Sequence, residues 1–105
     1  MRRGEIWWAE FPPPVGRRPV ILLSRDEAYA LRELVTIAPV TTRIRGIPVE
    51  VPLGRGEGLP KRCVANLDTI TTIPKRSLVA RVSLLPSAKI AALDDALKFA
   101  LGIDA

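Results

Sequence analysis

The chain has 105 residues, 48% of them hydrophobic and 26% charged, which is the composition of one small folded domain rather than a disordered tail. Sixteen Lys and Arg against eleven Asp and Glu give a net charge of +5. A field of that sign attracts polyanions such as nucleic acid, an anionic membrane or an acidic protein. No histidine is present, which excludes Ser-His-Asp, Cys-His and paired-His phosphodiester mechanisms, because each needs an imidazole that titrates near neutrality.

Signals for metal binding, secretion and membrane insertion are missing as well. A single cysteine, Cys63, with no histidine supports neither an intrachain disulfide nor a zinc site, and we expect its thiol to be a small buried hydrophobic group. Apolar stretches such as residues 20–23 are far too short to span a membrane, and the first residues lack the apolar segment of a signal peptide. These features predict a cytoplasmic protein with no metal and no other cofactor.

Turn residues divide the first 86 positions into short apolar runs, which is typical of an all-β sandwich or barrel. Strands are predicted over residues 6–11, 18–23, 34–40, 47–53, 63–67 and 78–84. Residues 12–14 are three prolines that stiffen the loop between the first two strands. A short helix is predicted over residues 26–32.

The C-terminal segment follows a helical period. Its apolar residues recur at spacings of three, four and four, at Ile90, Leu93, Leu97 and Leu101. We expect Ser87 to be the N-cap and Gly102 to end the helix. The whole chain, residues 1–105, is therefore predicted to be one mainly β domain: a curved sheet of five to seven strands with one C-terminal α-helix, most economically an SH3-like small barrel. A domain of this size buries a low fraction of its surface, which favours a homodimer.

Five short segments have the order and spacing of one known family. They are Arg3-Gly4-Glu5-Ile6-Trp7-Trp8, Arg17-Arg18-Pro19-Val20, Ala38-Pro39-Val40-Thr41-Thr42, Asn66-Leu67-Asp68 with Thr72-Ile73, and the tail Leu101-Gly102-Ile103. In a chain of this length, these segments resemble the MazF/PemK/Kid toxins, which are ribosome-independent messenger RNA endonucleases of bacterial toxin–antitoxin pairs.

The resemblance implies a function as well as an SH3-like barrel and a homodimer. The activity it implies is metal-independent cleavage of single-stranded RNA at short recognition sequences, by attack of a ribose 2′-hydroxyl that leaves a 2′,3′-cyclic phosphate and a 5′-hydroxyl. It also implies inhibition by a cognate acidic antitoxin, for which the basic body of this chain is suited.

The resemblance places the family's catalytic pair at Arg18 and Thr41. A guanidinium presents a planar fork of donors and stays charged, so Arg18 suits a clamp on the phosphoryl oxygens rather than a proton shuttle. Thr41 can donate a hydroxyl hydrogen bond to the same phosphate. The predicted substrate-binding residues are Arg17, Thr42, Arg43, Arg45 and Asp68, although Asp68 is equally suited to capping a turn.

Several alternatives remain open at the level of the sequence. The general base is unassigned among Glu50, Asp68 and a substrate-assisted route. Trp7 and Trp8 point to opposite faces of a regular strand, so one belongs to the core and the other is available to stack on a base or to lie in a dimer interface. Basic residues between the strands favour RNA binding only as a group: Arg43, Arg45, Arg55, Lys61 and Arg62.

Two other functions compete with the nuclease. One is a non-catalytic toxin of the same fold that acts on DNA gyrase, as the CcdB toxins do. Those toxins depend on C-terminal residues, typically a Trp, whereas this chain has no aromatic residue after Phe99. The other is an RNA-binding barrel without nuclease activity. Such a protein would leave RNA intact, and its affinity for RNA would fall as the salt concentration rises.

Overall fold

Residues 1–103 are described by a computed structural model, in which seven strands form one antiparallel sheet that carries two helices. In chain order the elements are β1 (Glu5–Glu10), β2 (Arg17–Leu22), α1 (Ala28–Leu31), β3 (Leu34–Thr41), β4 (Glu50–Leu53), β5 (Cys63–Asn66), β6 (Thr71–Pro74), β7 (Leu78–Leu84) and α2 (Ser87–Leu101). Short 3₁₀ turns cover Arg55–Glu57, Leu67–Thr69 and Lys75–Ser77.

Strand β3 organises the sheet because it changes partner along its length. Its first half pairs with β6, from Leu34 opposite Pro74 onward, whereas Val40 and Thr41 pair with β5. The other edge of β3 pairs with β2. The strand order is β4-β5-β3-β2-β1-β7, with β6 joined to β3 off this path. Within residues 1–103, β4 and β7 are not paired with each other, so the sheet is barrel-like but not closed.

The mainly β class and the C-terminal helix are confirmed, and the predicted strands are found with shifts of one to three residues at their ends. Strand β6 is the element that the sequence did not predict. Thr71 and Thr72 are exposed, so no buried face marks the segment, and Pro74 is typical of a turn. Pairing with the first half of β3 makes residues 71–74 a strand, which is a tertiary effect that local propensity cannot reveal.

Alternation along β1 and β2 divides the core between the two faces of the sheet. Ile6 lies opposite Ile21, and both belong to the cluster under α2. Ala9 and Val20 face the other side and belong to a second cluster, together with Tyr29 of α1. Burial on both faces explains why these strands consist of nearly continuous apolar runs.

Helix α2 packs through Leu93, which is fully buried, and Ala96. Its last turn leaves the core, so Leu101, which the periodicity assigns to the apolar face, is 54% exposed. Gly102 ends the helix with φ +70°, as expected for a left-handed C-cap. Ser87 is the first helical residue rather than the N-cap, and Pro86 takes the N-cap position. Within residues 1–103, no helix is long and apolar enough to cross a membrane.

A buried carboxylate ties β1 to β7. Glu5 is 5% exposed and accepts hydrogen bonds from Trp7 Nε1 at 3.0 Å, Arg81 Nε at 2.8 Å and the Arg2 amide at 3.0 Å. Burial alone raises the pKa of this carboxyl, but the three donors together outweigh burial and hold the pKa below its ordinary value. Glu5 is therefore ionised and fully partnered in the folded protein.

We expect Glu5→Gln to lower the free energy of unfolding at pH 7 by about 1–3 kcal/mol, because a charge-assisted network loses its charge. Since the pKa is lower in the folded state, this stabilisation is present above the unfolded pKa of about 4.5 and is lost as the pH falls through the folded value. Urea unfolding of both proteins from pH 7 down to pH 3 measures the effect. The matched control is Glu10→Gln in the exposed pair with Arg17, where a loss below about 1 kcal/mol is expected. If the difference in unfolding free energy between Glu5→Gln and the wild type stays constant from pH 7 to pH 3, the lowered pKa of Glu5 is contradicted.

Candidate active site

A groove of about 650 Å³ opens at the end of β3 that carries Thr41. Its walls come from the end of β1 and the loop after it, the start of β2, the end of β3, and the segment before β5. Most of its lining is apolar: Trp8, Phe11, Val15, Pro19, Ile37, Pro39, Val40, Leu59 and Pro60. The polar and thiol groups of the lining are Arg17, Arg18, Thr41, Thr42, Lys61, Cys63 and Thr71. Among residues 1–103, no carboxylate lines the groove.

Two prolines explain where the groove opens. The pairing of β2 with β3 runs from Leu22 opposite Ile37 to Val20 opposite Pro39 and stops there. The Leu23 amide donates to the Thr36 carbonyl across this ladder, so by alternation Pro19 is the residue of β2 whose nitrogen next faces β3, and proline has no amide hydrogen to continue a ladder. The nitrogen of Pro39 faces the opposite edge of β3, where the pairing with β6 ends at Ile37 and β5 takes Val40 and Thr41. Both prolines line the groove. The two strands therefore stop pairing where the side chains of the groove begin.

The same register brings Arg18 and Thr41 together. Extending the pairing of Val20 with Pro39 by two residues sets Arg18 opposite Thr41, and both residues line the groove. They are 23 residues apart in the chain, and the register of the two neighbouring strands accounts for their presence in one groove.

The two consecutive arginines have different surroundings. Arg17 Nε lies 3.3 Å from Glu10 Oε2, its partner across β1 and β2, in an exposed ion pair. Arg18 Nη1 donates to the backbone carbonyl of Arg17 at 3.2 Å, and within residues 1–103 it has no ion-pair partner. Arg18 is thus exposed to the groove with its full positive charge.

Thr41 is half-buried at the last position of β3. Its Oγ1 accepts a hydrogen bond from the Arg43 amide at 3.1 Å. An accepted bond leaves the hydroxyl proton available, so Thr41 can still donate to a ligand in the groove. Thr42 follows it in the lining and is exposed.

Three other predicted binding residues lie outside the groove. Arg43 and Arg45 are exposed in the segment that follows β3, and Asp68 is exposed in the 3₁₀ turn after β5. The turn around Asp68 is capped by Asn66, whose side chain accepts from the Asp68 amide at 2.9 Å. Their contacts with a substrate remain predictions.

Glu50, one of the candidates for the general base, is occupied by the backbone of the β3–β4 segment. Its carboxylate accepts hydrogen bonds from the Arg45 amide at 3.1 Å and the Gly46 amide at 2.8 Å. It does not line the groove. The arrangement fits a role in shaping this segment, and neither Glu50 nor Asp68 faces the space beside Arg18.

The structure separates the two tryptophans that the sequence left ambiguous. Trp7 packs against the core cluster of α1 and donates to Glu5, whereas Trp8 is half-buried in the groove lining. Lys61 also lines the groove, although the sequence singled it out only as one member of a basic group. In the sequence, the one feature that distinguishes Lys61 is that it lies two residues before the buried Cys63. This spacing becomes informative only when the strand next to β5 is known.

Cys63 forms part of the groove's inner wall and is 5% exposed, which confirms the predicted burial. Burial, and secondarily the negative charge of Glu57, raise the pKa of its thiol. The thiol is therefore protonated at neutral pH and a poor nucleophile there. Within residues 1–103, no three Cys, Asp or Glu side chains come together as a metal site would require.

The sequence model of the PemK-like, MazF-like toxins of type II toxin–antitoxin systems matches residues 2–101. The chain is also 40% identical over 100 residues to "Probable endoribonuclease MazF5" of Mycobacterium tuberculosis, an alignment that covers 94% of this chain and 91% of that protein.

Solved structures resemble the fold throughout. "Mycobacterium tuberculosis toxin MazF-mt6" superposes with a TM-score of 0.89 at 32% identity, covering 96% of this chain and 99% of that one. A mycobacterial endoribonuclease solved in complex with its cognate antitoxin has a TM-score of 0.87 at 26% identity, covering 100% of this chain and 98% of that one.

We expect Cys63 to react with iodoacetamide with a pH midpoint above that of the same thiol in urea-unfolded protein, because the folded environment disfavours the thiolate. Alkylation rates measured by mass spectrometry from pH 7 to pH 10 give both midpoints. The unfolded chain is the control for intrinsic reactivity. A folded midpoint equal to or below the unfolded one would contradict the burial of this thiol.

Proposed function

The chain belongs to the PemK-like, MazF-like toxins of type II toxin–antitoxin systems, and on that premise we propose that it is a sequence-specific, ribosome-independent endoribonuclease that cleaves single-stranded messenger RNA. The relatives that match almost the whole chain are named endoribonucleases. The observation that carries the proposal is that Arg18, which has no ion-pair partner within residues 1–103, lines the same groove as Thr41, and that no carboxylate of those residues lines it.

We propose cleavage by internal transesterification. The ribose 2′-oxygen attacks the adjacent phosphorus while the bond from phosphorus to the 5′-oxygen breaks. The 2′-hydroxyl loses its proton and the departing 5′-oxygen gains one, so the products are a 2′,3′-cyclic phosphate and a 5′-hydroxyl. Negative charge accumulates on the phosphoryl oxygens in the transition state, and stabilising that charge is the main task left to the protein.

Arg18 and Thr41 are the catalytic residues of this proposal. The Arg18 guanidinium donates to the phosphoryl oxygens as a fork, and it brings an uncompensated charge because no carboxylate pairs with it within residues 1–103. Thr41 adds a hydroxyl donor from the opposite strand. The positive charge needed at the phosphate is supplied by the chain itself, and we propose that the reaction is metal-independent.

The proton from the 2′-hydroxyl passes to a phosphate oxygen or to water rather than to a protein carboxylate. Glu50 is engaged with backbone amides, and in the described part of the chain no acidic side chain lines the groove. This favours the substrate-assisted route over Glu50 or Asp68 as general base.

Substrate binding extends along the groove on both sides of the catalytic pair. Arg17 and Thr42 contact the backbone next to the scissile phosphate, and Trp8 offers an aromatic face on which an unstacked base can lie. Arg43, Arg45 and Asp68 lie farther out and are proposed to contact flanking nucleotides. Single-stranded RNA is the form that can place bases and backbone in such a groove.

A cognate acidic antitoxin is the second proposed partner. Neighbouring folds include toxins solved with their antitoxins, among them MazE–MazF of Deinococcus radiodurans. An acidic segment with apolar side chains complements an apolar groove that carries Arg18 and Lys61. Occupation of the groove would block access of RNA.

We further propose that the protein is a cytoplasmic homodimer. The domain is small, and apolar side chains remain exposed at the end of α2, with Phe99 at 63%, Leu101 at 54% and Ile103 at 53%. A second copy of the chain would remove this area from water. The cytoplasm is where messenger RNA is available to a bacterial toxin.

Arg18→Ala is expected to reduce cleavage by about 100-fold or more, as removal of one preorganised transition-state donor does. Arg18→Lys should restore only part of the rate, because an ammonium keeps the charge but loses the planar fork. The measurement is incubation of long single-stranded RNA with each protein in EDTA, followed by mapping of the cut sites and analysis of the end groups.

The matched control is Arg76→Ala, which removes the same charge from an exposed turn beyond β6, next to the end of β3 remote from Thr41. Its cleavage rate should equal that of the wild type. Full cleavage by Arg18→Ala would remove the proposed mechanism. Intact RNA with the wild type, while binding is still detected, would favour the RNA-binding barrel, and growth arrest without RNA cleavage would direct the search to gyrase.

For the homodimer, we expect light scattering to give a mass twice the 11.5 kDa of one chain, because burial of the exposed apolar residues of α2 favours association. Measurement over a dilution series, with a small monomeric protein as the reference, shows whether the mass depends on concentration. A mass of one chain at every concentration would contradict the dimer.

A further inference from the structure

The three cations of the groove differ in whether a carboxylate neutralises them. Arg17 is paired with Glu10, whereas Arg18 and Lys61 have no ion-pair partner within residues 1–103. The rest of the lining is largely apolar, and among residues 1–103 it contains no carboxylate that would offset these two charges. The groove therefore presents two uncompensated positive charges to a ligand.

The two charges lie on opposite sides of β3. Arg18 belongs to β2, which pairs with one edge of β3, and Lys61 precedes β5, which pairs with the other edge. Thr41 ends the strand between them. A polyanion that contacts both cations must cross the end of β3 and pass Thr41.

The backbone at Lys61 is held by the core although its side chain is exposed. Leu59, two residues before it, is 3% exposed, and Cys63, two residues after it, is 5% exposed; both belong to the cluster under α2. The Leu59 amide also donates to the Gly54 carbonyl at 3.1 Å. A cation on a backbone fixed on both sides needs less ordering when it binds than one on a flexible loop.

We propose that Lys61 binds a non-scissile backbone phosphate of the RNA, next to the phosphate held by Arg18. Lysine is a point-charge binder of phosphate, so the contact fixes the path of the strand without reading bases. Lys61 is a substrate-binding residue that sets where the strand crosses β3, outside the reacting atoms. This inference rests on the proposed endoribonuclease function for the identity of the ligand.

The test compares Lys61→Ala and Lys61→Arg with the wild type. The binding probe is fluorescent single-stranded RNA that spans a mapped cut site and has a 2′-deoxynucleotide there, so the attacking hydroxyl is absent. If the wild type makes no cut, mixed-sequence single-stranded RNA replaces it. Anisotropy titrations over a series of NaCl concentrations give Kd and its salt dependence, and cleavage of the all-ribose RNA gives kcat and KM.

Lys61→Ala should weaken binding about tenfold at low salt and reduce the slope of log Kd against log salt by about 0.7, the value for one phosphate contact with a single strand. KM should rise with Kd while kcat stays unchanged, because Lys61 does not touch the scissile phosphate. Lys61→Arg should keep the wild-type slope, since it keeps the charge.

The matched control is Arg76→Ala, which removes the same charge from an exposed turn outside the groove. It should leave Kd and the slope unchanged. A wild-type slope in Lys61→Ala would overturn the inference. An equal loss in Arg76→Ala would overturn it as well, because the loss would then reflect only the general basic field.

The test of the Lys61 contact can fail or succeed independently of the test of nuclease activity. A wild type that binds RNA without cutting it would refute the nuclease, yet a reduced slope in Lys61→Ala would still support the phosphate contact. A wild type that does not bind single-stranded RNA would overturn the contact as well.

Discussion

The site depends on one constraint, which is that β3 cannot keep the same partners along its whole length. On one edge the ladder with β2 ends at Val20 opposite Pro39, next to Pro19, which has no amide hydrogen to donate to β3. On the other edge the pairing with β6 ends at Ile37, and β5 takes Val40 and Thr41. The groove opens at this junction, and Arg18, Thr41 and Lys61 all line it.

The groove combines a largely apolar lining with unbalanced positive charge, and this combination suits phosphate chemistry in a protein without histidine. A guanidinium cannot exchange protons at neutral pH, but it stabilises charge that develops on phosphoryl oxygens. Arg17 is paired with Glu10, so the adjacent Arg18 is the arginine that contributes an unpaired positive charge to the groove. The same combination also suits an acidic antitoxin segment, so one surface suffices for both of the proposed partners.

The Trp7-Trp8 pair shows how much of the structure the local sequence pattern can predict. Strand alternation predicts that the two indoles face opposite sides. In the structure Trp7 packs against the cluster of α1 and Trp8 lines the groove. Trp7 is held by Glu5, which also binds Arg81 of β7 from a distant part of the sequence. Similarly, β6 is a strand because β3 offers it an edge, since Thr71 and Thr72 are exposed. The carboxylate of Glu50 accepts hydrogen bonds from the backbone of the β3–β4 segment, a contact that local pattern does not reveal.

Composition and periodicity were sufficient to predict the class of the protein, which is one small basic domain of mainly strands with a helix from Ser87 that ends at Gly102. They were sufficient because burial and backbone chemistry act on residues that are close in the chain. The resemblance of short segments was sufficient for the family, and it supplied Arg18 and Thr41 as the predicted catalytic pair. Only the tertiary structure decided which charges are neutralised, which acidic side chains stay outside the groove and that Lys61 lines it together with Arg18. Those properties depend on distances between residues far apart in sequence, which the register of the sheet sets and local pattern does not encode.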